Sequence, residues 1–299
     1  MMQSLIDQIK KKKAKKILVQ VPEGLKMKAI NLVEDLRKEG VEAFLSADPC
    51  YGACDLRDME AKKMGCDLLV HIGHNKFYVD FKTAVPVLYY PYEMKLDSKE
   101  LEKADFSQIR EKNIGLVSTV QHTSSLDEIV NILEKNGKKA FIGGQILGCW
   151  STNAQKIEKK VDAFLYIGSG KFHPEGMKTK KPIYTLDIET KKIDKIDFEL
   201  MEKKRFAKIY KAKDAKSFAI LVSVKGGQKE LIGSAERIKK KLESKNKKAY
   251  IIVMDEISEN KLLGLKVDAY VNTACPRIAE DHFSKPMLNP EDLNYVLKD

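Results

Sequence analysis

Two stretches of the sequence repeat one another closely. Asp67-Leu-Leu-Val-His-Ile-Gly-His-Asn-Lys-Phe77 aligns with Asp162-Ala-Phe-Leu-Tyr-Ile-Gly-Ser-Gly-Lys-Phe172. A third stretch, Asp268-Ala-Tyr-Val-Asn-Thr-Ala-Cys-Pro-Arg-Ile278, opens in the same way. Each starts with Asp, runs through a short apolar segment and ends in small or polar residues. Such a run, bounded by turn residues, suits a strand buried on both faces of a parallel sheet. A chain that repeats this unit is expected to fold as several similar supersecondary structures.

The flanking sequence fills in the units. In the first, a short polar helix over residues 1–13 leads into the strand Ile17-Leu-Val-Gln-Val21, and Pro22-Glu-Gly24 makes a turn. Leu25, Ala29, Leu32, Val33 and Leu36 recur at helical spacing, with Gly40 as the stop. Strands follow over 41–45, 67–71 and 85–90. The second unit has strands over 114–118, 140–142, 161–167 and 183–186. Ser125 and Glu128 match a capping box ahead of a helix that Gly137 ends. The third has strands over 218–222, 249–253 and 267–271, with Leu231, Ala235, Ile238 and Leu242 on one helix face. Lys-rich stretches near 97–112 and 190–213 separate the units. The expected domains are therefore 1–98, 99–190 and 191–299, the last including a linker helix. The expected fold class is α/β: three repeated α/β domains, each a small parallel sheet flanked by helices, around a central site.

At 299 residues the chain has length for two or three compact units. No apolar run approaches the ~20 residues of a membrane span, and the lysines of 1–16 lead into no signal-peptide apolar region. A cytoplasmic protein is expected. The net charge of +11 favours an acidic partner. The lysines are scattered, however, and dense only over 10–16 and 239–248, so direct nucleic-acid binding is not expected.

Five cysteines make no disulfide framework for a chain of this length. Cys54, Cys149 and Cys275 lie in Tyr51-Gly-Ala-Cys-Asp55, Gly144-Gln-Ile-Leu-Gly-Cys-Trp150 and Asn272-Thr-Ala-Cys-Pro-Arg277. The interval from Asp67 to Asp162 also carries Cys54 onto Cys149. Cys275 instead corresponds to Ser169 and His74, so two cysteines follow second strands and one follows a third. Ligands of open α/β sheets bind beyond the carboxyl ends of the strands, where all three thiols are expected. A zinc site of paired Cys-x2–4-Cys motifs does not fit, because Cys50 and Cys54 form a lone Cys-x3-Cys. A 4Fe–4S cluster normally takes four thiolates, and three would leave one iron open to a substrate. The usual radical S-adenosylmethionine motif, Cys-x3-Cys-x2-Cys, fails at Arg57.

Asp48-Pro-Cys-Tyr-Gly-Ala-Cys-Asp55, Gly143-Gly-Gln-Ile-Leu-Gly-Cys149 and Thr273-Ala-Cys-Pro-Arg277, with Val21-Pro-Glu-Gly-Leu25 ahead of them, resemble the archaeal radical enzymes of diphthamide biosynthesis, the 2-(3-amino-3-carboxypropyl)histidine synthases. The likeness covers nearly the whole chain. It implies a homodimer of three-domain subunits, each able to hold a 4Fe–4S cluster on Cys54, Cys149 and Cys275. It further implies cleavage of the Cγ–S bond of S-adenosyl-L-methionine, a co-substrate. The 3-amino-3-carboxypropyl group then passes to a histidine of elongation factor 2, with an electron donor of unknown identity. Cys50 and Cys66 do not fall on ligand positions, and Cys50 departs from the family pattern.

Residues that could position the co-substrate are Glu23 and Gly24 in the first strand–helix turn and Gln121 and His122 in its counterpart. Gln145 and Arg277 flank ligand cysteines, where donors to the sulfurs would tune the cluster. His74 is a strand-end histidine facing the same centre if the repeat holds. No catalytic side chain is singled out. Two other readings accommodate the three cysteines: a quinolinate synthase-like 4Fe–4S enzyme, and a basic zinc-stabilised scaffold for RNA or the ribosome.

Overall fold

The computed structural model describes residues 2–227 and 232–298. It divides into two compact units: Met1–Leu96 with Val120–Ser125 and Lys225–Gly227, and Asp97–Thr119 with Leu126–Val224 and Gln228–Asp299. The first unit holds one sheet and the second holds two.

The sheet of the first unit comprises β1 (Lys16–Gln20), β2 (Glu42–Leu45), β3 (Leu68–Ile72) and β4 (Val87–Tyr90). Its order is β2-β1-β3-β4 and every pairing is parallel. The chain steps outward from β1 to β2 and then crosses back to β3, leaving a switch point between the carboxyl ends of β1 and β3. Crevices at such points are the usual ligand sites of open α/β sheets. All five residues of β3 are buried, four of them apolar and the fifth His71.

The second unit has β5 (Asn113–Ser118), β6 (Lys139–Gln145), β7 (Ala163–Ile167), β8 (Ile183–Leu186) and β9 (Ile193–Lys195), in the order β6-β5-β7-β8-β9. Its other sheet is built from β10 (Ser217–Ser223), β11 (Lys248–Met254), β12 (Ala269–Asn272) and β13 (Met287–Leu288), in the order β11-β10-β12-β13. All pairings are parallel except β8 with β9.

The repeat carries its own fastening. Asp67 accepts from the backbone N–H groups of Lys15 and Lys16 at 2.8 and 2.9 Å. Asp162 accepts from Asn113 N–H at 3.1 Å, and Asp268 from Lys216 and Ser217 at 2.9 and 2.8 Å. The aligned aspartates thus tie the third strand of each sheet to the start of its first. Pro86, Pro182 and Pro286 form a second such set. Each carbonyl accepts from the third strand, at Leu69, Phe164 and Tyr270, and the fourth strand follows at once.

Three sequence readings need adjustment. The helix Met2–Lys11 is not simply polar: Leu5, Ile6 and Ile9 are buried against Ile17, Leu32 and Leu36. Spacing of three and four residues puts them on one stripe, and each fully buried side chain contributes about 1.5–3 kcal/mol. Two short strands, β9 and β13, went unforeseen because two or three residues carry no periodicity of their own. Ser125 lies in a 3-10 turn, Val120–Ser125, that runs straight into the helix Leu126–Lys135, and its hydroxyl accepts from Leu96 N–H at 3.2 Å. The third-unit helix is Ile232–Glu243, with Ala235, Ile238 and Leu242 buried; Leu231 lies outside the described residues.

Candidate metal centre

Cys54 is half-buried in a loop beyond β2. The loop closes through Asp55 N–H to Gly52 O at 2.9 Å. Behind it, Asp55 is buried and its carboxylate receives Lys225 Nζ at 2.6 Å, an ion pair exposed by only 8% and 2% of the two side chains. The Asp55 carbonyl accepts from Gln20 Nε2 at 2.7 Å, and Gln20 Oε1 accepts from Arg57 N–H at 3.2 Å. Burial raises the Asp55 carboxyl, and Lys225 opposes that shift. Gly227 N–H donates to Cys54 O at 3.1 Å. A Cβ on Gly227 would sit 2.6 Å from Cys54 Cα, so only glycine lets these backbones approach.

Cys149 reaches its position by a different route. Between Leu116 and Val117 the register of β5 and β6 shifts, and Gly143 is the additional residue. Gly144, at a φ of 84°, completes the kink. Leu147 and Trp150 then exchange backbone hydrogen bonds of 2.7 and 3.1 Å, leaving Gly148 and Cys149 at the tip of a tight turn. Gly148 N–H donates to His173 Nδ1 at 3.1 Å, and the backbone of Gly176 lies directly against the Gly148 carbonyl. The Cys149 thiol is exposed.

Cys275 follows β12 and caps the 3-10 helix Pro276–Glu280. The buried Asn272 side chain holds this loop, accepting from Ala274 N–H at 2.9 Å and donating to Cys275 O at 2.8 Å. Asn289 supports both ends, through Asn272 and the Pro276 carbonyl. Burial raises the Cys275 thiol, the Arg277 backbone N–H lowers it, and nearby Cys149 raises it again.

Cys54 belongs to the first unit, and Cys149 and Cys275 to the second. Arg277 is buried beside the Cys149 turn, with Nη2 2.8 Å from Glu175 and its guanidinium 5.4 Å from the Phe172 ring centre. Gln145 ends β6, and its carbonyl accepts from Asn153 Nδ2 at 3.0 Å. Gln121 donates its amide to Gly73 O. His122 is buried, and burial lowers its imidazole against the hydrogen bond to the Met94 backbone. Glu23 is exposed and paired with Lys26 at 2.6 Å; Gly24 is exposed with open space around it.

Gln20, Asp55, Lys225 and Asn272 escaped the sequence reading. Asp55 adjoins Cys54, and Lys225-Gly-Gly227 follows β10 as an abrupt glycine pair, so a signal existed for two of them. A lone Gln or Asn at a strand end carries none.

Residues 21–299 match the family model described as "Putative diphthamide synthesis protein". A 2-(3-amino-3-carboxypropyl)histidine synthase of Pyrococcus horikoshii is 37% identical, over 98% of this chain and 89% of that protein. Subunit 1 of the Nematostella vectensis enzyme of the same name is 32% identical, over 97% of this chain and 65% of that protein. The crystal structure of Dph2 from Pyrococcus horikoshii with a 4Fe–4S cluster superposes with a TM-score of 0.88 at 36% identity, covering 99% of this chain and 90% of that one. The chain belongs to the diphthamide synthesis protein family.

Proposed function

We propose that the protein transfers the 3-amino-3-carboxypropyl group of S-adenosyl-L-methionine to a histidine of elongation factor 2, by a non-standard radical mechanism at a 4Fe–4S cluster held by Cys54, Cys149 and Cys275. The observation that carries this reading is which thiols are accessible. Cys54 and Cys275 are half-buried and Cys149 is exposed, each on a loop at the carboxyl end of a strand. Cys50 and Cys66, the two that match no ligand position, are each only 6% exposed. Thiolates are the ordinary ligands of iron–sulfur clusters, so the donor set fits the group. The Pyrococcus horikoshii relative was solved with a 4Fe–4S cluster, which supports a cluster of that kind here.

A 4Fe–4S cluster held there would supply one-electron chemistry and an iron with room for a further ligand. The chain's own contribution is to hold the thiols still and to shape their surroundings. Asn272 and Asn289 fix the Cys275 loop, the Leu147–Trp150 turn presents Cys149, and the Asp55–Lys225 pair backs the Cys54 loop. The Arg277 cation acts on the Cys275 thiol and is itself paired with Glu175 at 2.8 Å. Part of the same reading are the repeat boundaries at 1–98, 99–190 and 191–299, a homodimer, a cytoplasmic setting and a separate electron donor. Among the described residues no helix is long and apolar enough to cross a membrane.

The test is anaerobic purification with iron and sulfide analysis, followed by assay with labelled S-adenosylmethionine and elongation factor 2. Cys54→Ala, Cys149→Ala and Cys275→Ala should each lose cluster and transfer, whereas Cys50→Ala and Cys66→Ala should keep both. A full cluster in Cys275→Ala would overturn the assignment of one ligand per repeat. Quinolinate formation from iminoaspartate and dihydroxyacetone phosphate would favour the quinolinate synthase reading. A wild-type protein without iron or sulfide would favour the zinc scaffold.

A further inference from the structure

The switch point of the first sheet holds a second group of metal-binding side chains, apart from the three thiols above. Gln20 ends β1 and His71 lies beside it in register on β3. The Gln20 amide has only one possible orientation. Its Nε2 donates to Asp55 O and its Oε1 accepts from Arg57 N–H. Oε1 therefore also accepts from His71 Nδ1, 3.2 Å away, and the His71 proton is on Nδ1. The lone pair of His71 is on Nε2, which accepts from His74 Nδ1–H at 3.1 Å, a hydrogen bond that an ion bound between the two rings would replace. Cys50 joins them: one ligand atom from each of Cys50, His71 and His74 lies within 4.8 Å of the others.

This is the arrangement a divalent transition metal requires. Metal-binding imidazoles nearly always donate their second N–H to a fixed oxygen, which sets the tautomer and ring orientation. Gln20 already does this for His71. Two nitrogens on a tetrahedral ion lie about 3.3 Å apart for metal–nitrogen bonds of about 2.0–2.1 Å, close to the His71–His74 separation. One thiolate with two imidazoles is a borderline-soft donor set, suited to Zn2+ or Fe2+ and poorly suited to Mg2+ or Ca2+. His71 is fully buried and Cys50 nearly so, while His74 is only half-buried, which leaves a side from which an ion can enter.

We propose that Cys50, His71 and His74 form a mononuclear site for Zn2+ or Fe2+. Bound there, the ion links the loop that leads to Cys54 with the end of β3. The site shares no side chain with the proposed cluster and does not depend on that assignment.

The experiment uses the whole chain with Cys54, Cys66, Cys149 and Cys275 replaced, Cys66 by Ala and the others by Ser, so that Cys50 is the one thiol left in this quadruple variant. Anaerobic titration with Co2+ should develop tetrahedral d–d bands and a thiolate-to-cobalt charge-transfer band, both abolished by Zn2+. Adding Cys50→Ser should remove the charge-transfer band, and adding His74→Gln should weaken Zn2+ binding by at least about tenfold. His74 is preferred to His71 because a half-buried position tolerates the change without threatening the fold. Thermal unfolding gives an independent readout: Zn2+ should raise the midpoint of the quadruple variant and not that of its Cys50→Ser derivative. Fe2+ in place of Zn2+ in the same assay shows which ion is held more tightly. No charge-transfer band in the quadruple variant, or one that survives Cys50→Ser, would overturn the proposal.

Discussion

The loops that carry Cys54 and Cys149 occupy equivalent places after the second strands of two sheets, yet they are held by different forces. The Cys149 turn is a backbone structure. A two-glycine bulge aims it, paired peptide groups close it, and a neutral imidazole and a glycine peptide brace its tip. The Cys54 loop rests instead on buried charge and amide groups: the Asp55–Lys225 pair, Gln20, and the peptide of Gly227. The repeat preserves where each cysteine lies relative to its sheet. It does not preserve how the loop is anchored.

The largest expected difference follows from the ion pair. Lys225→Met leaves the buried Asp55 with only the more distant Arg57 guanidinium, 3.9 Å away, and breaking such a pair costs up to about 3–5 kcal/mol. The matching change at the other loop, His173→Leu, takes the neutral acceptor from the Gly148 N–H, at about 1–3 kcal/mol. Urea unfolding of both variants measures the gap. Equal losses would mean that the two loops are anchored alike after all.

Glycine substitutions come next. Gly227→Ala drives a methyl group into the Cys54 backbone and should cost about 1–3 kcal/mol, with reduced cluster retention after anaerobic reconstitution. Gly24→Ala, with open space around it, should stay within about 0.5 kcal/mol of the parent. If Gly227→Ala matches Gly24→Ala, the close approach of Gly227 to Cys54 is not a constraint.

The smallest effects concern acid. Backbone N–H groups of Lys16 and Lys15 hold the Asp67 carboxyl below the usual range. Its contribution is complete above the unfolded value of about 3.9 and is lost as pH falls through the lower folded value. Asp55 has the opposite sign. Burial raises it, so between about 3.9 and its folded value the native state binds more protons and stability falls as pH rises. Urea midpoints followed against pH should therefore lose their acid-side drop in Asp67→Asn. In Asp55→Asn they should lose a decline just above 3.9. The same slope change in both variants would contradict this opposition.

Much of the architecture was legible from residues alone. Apolar runs of strand length, aligned on Asp67, Asp162 and Asp268, located three sheets, because a strand buried on both faces is built mostly of apolar residues. The same alignment located Cys54 and Cys149 after second strands and Cys275 after a third, as the sheets bear out. Pro286 marks the start of β13 as Pro86 and Pro182 mark the starts of β4 and β8. Strand β9 had no comparable marker, since its antiparallel pairing depends on β8 being present.

The sequence by itself therefore determined the repeated sheets and the three cysteines, because both are written in local runs and in spacing. Only the tertiary structure decided what holds those cysteines and what lies at the switch point. Lys225 meets Asp55 across 170 residues of chain, and Gln20 reaches His71 across 51. Contacts of that kind arise when strands distant in sequence are laid side by side. A single Lys, Gln or His gives no local sign of the partner it will find there.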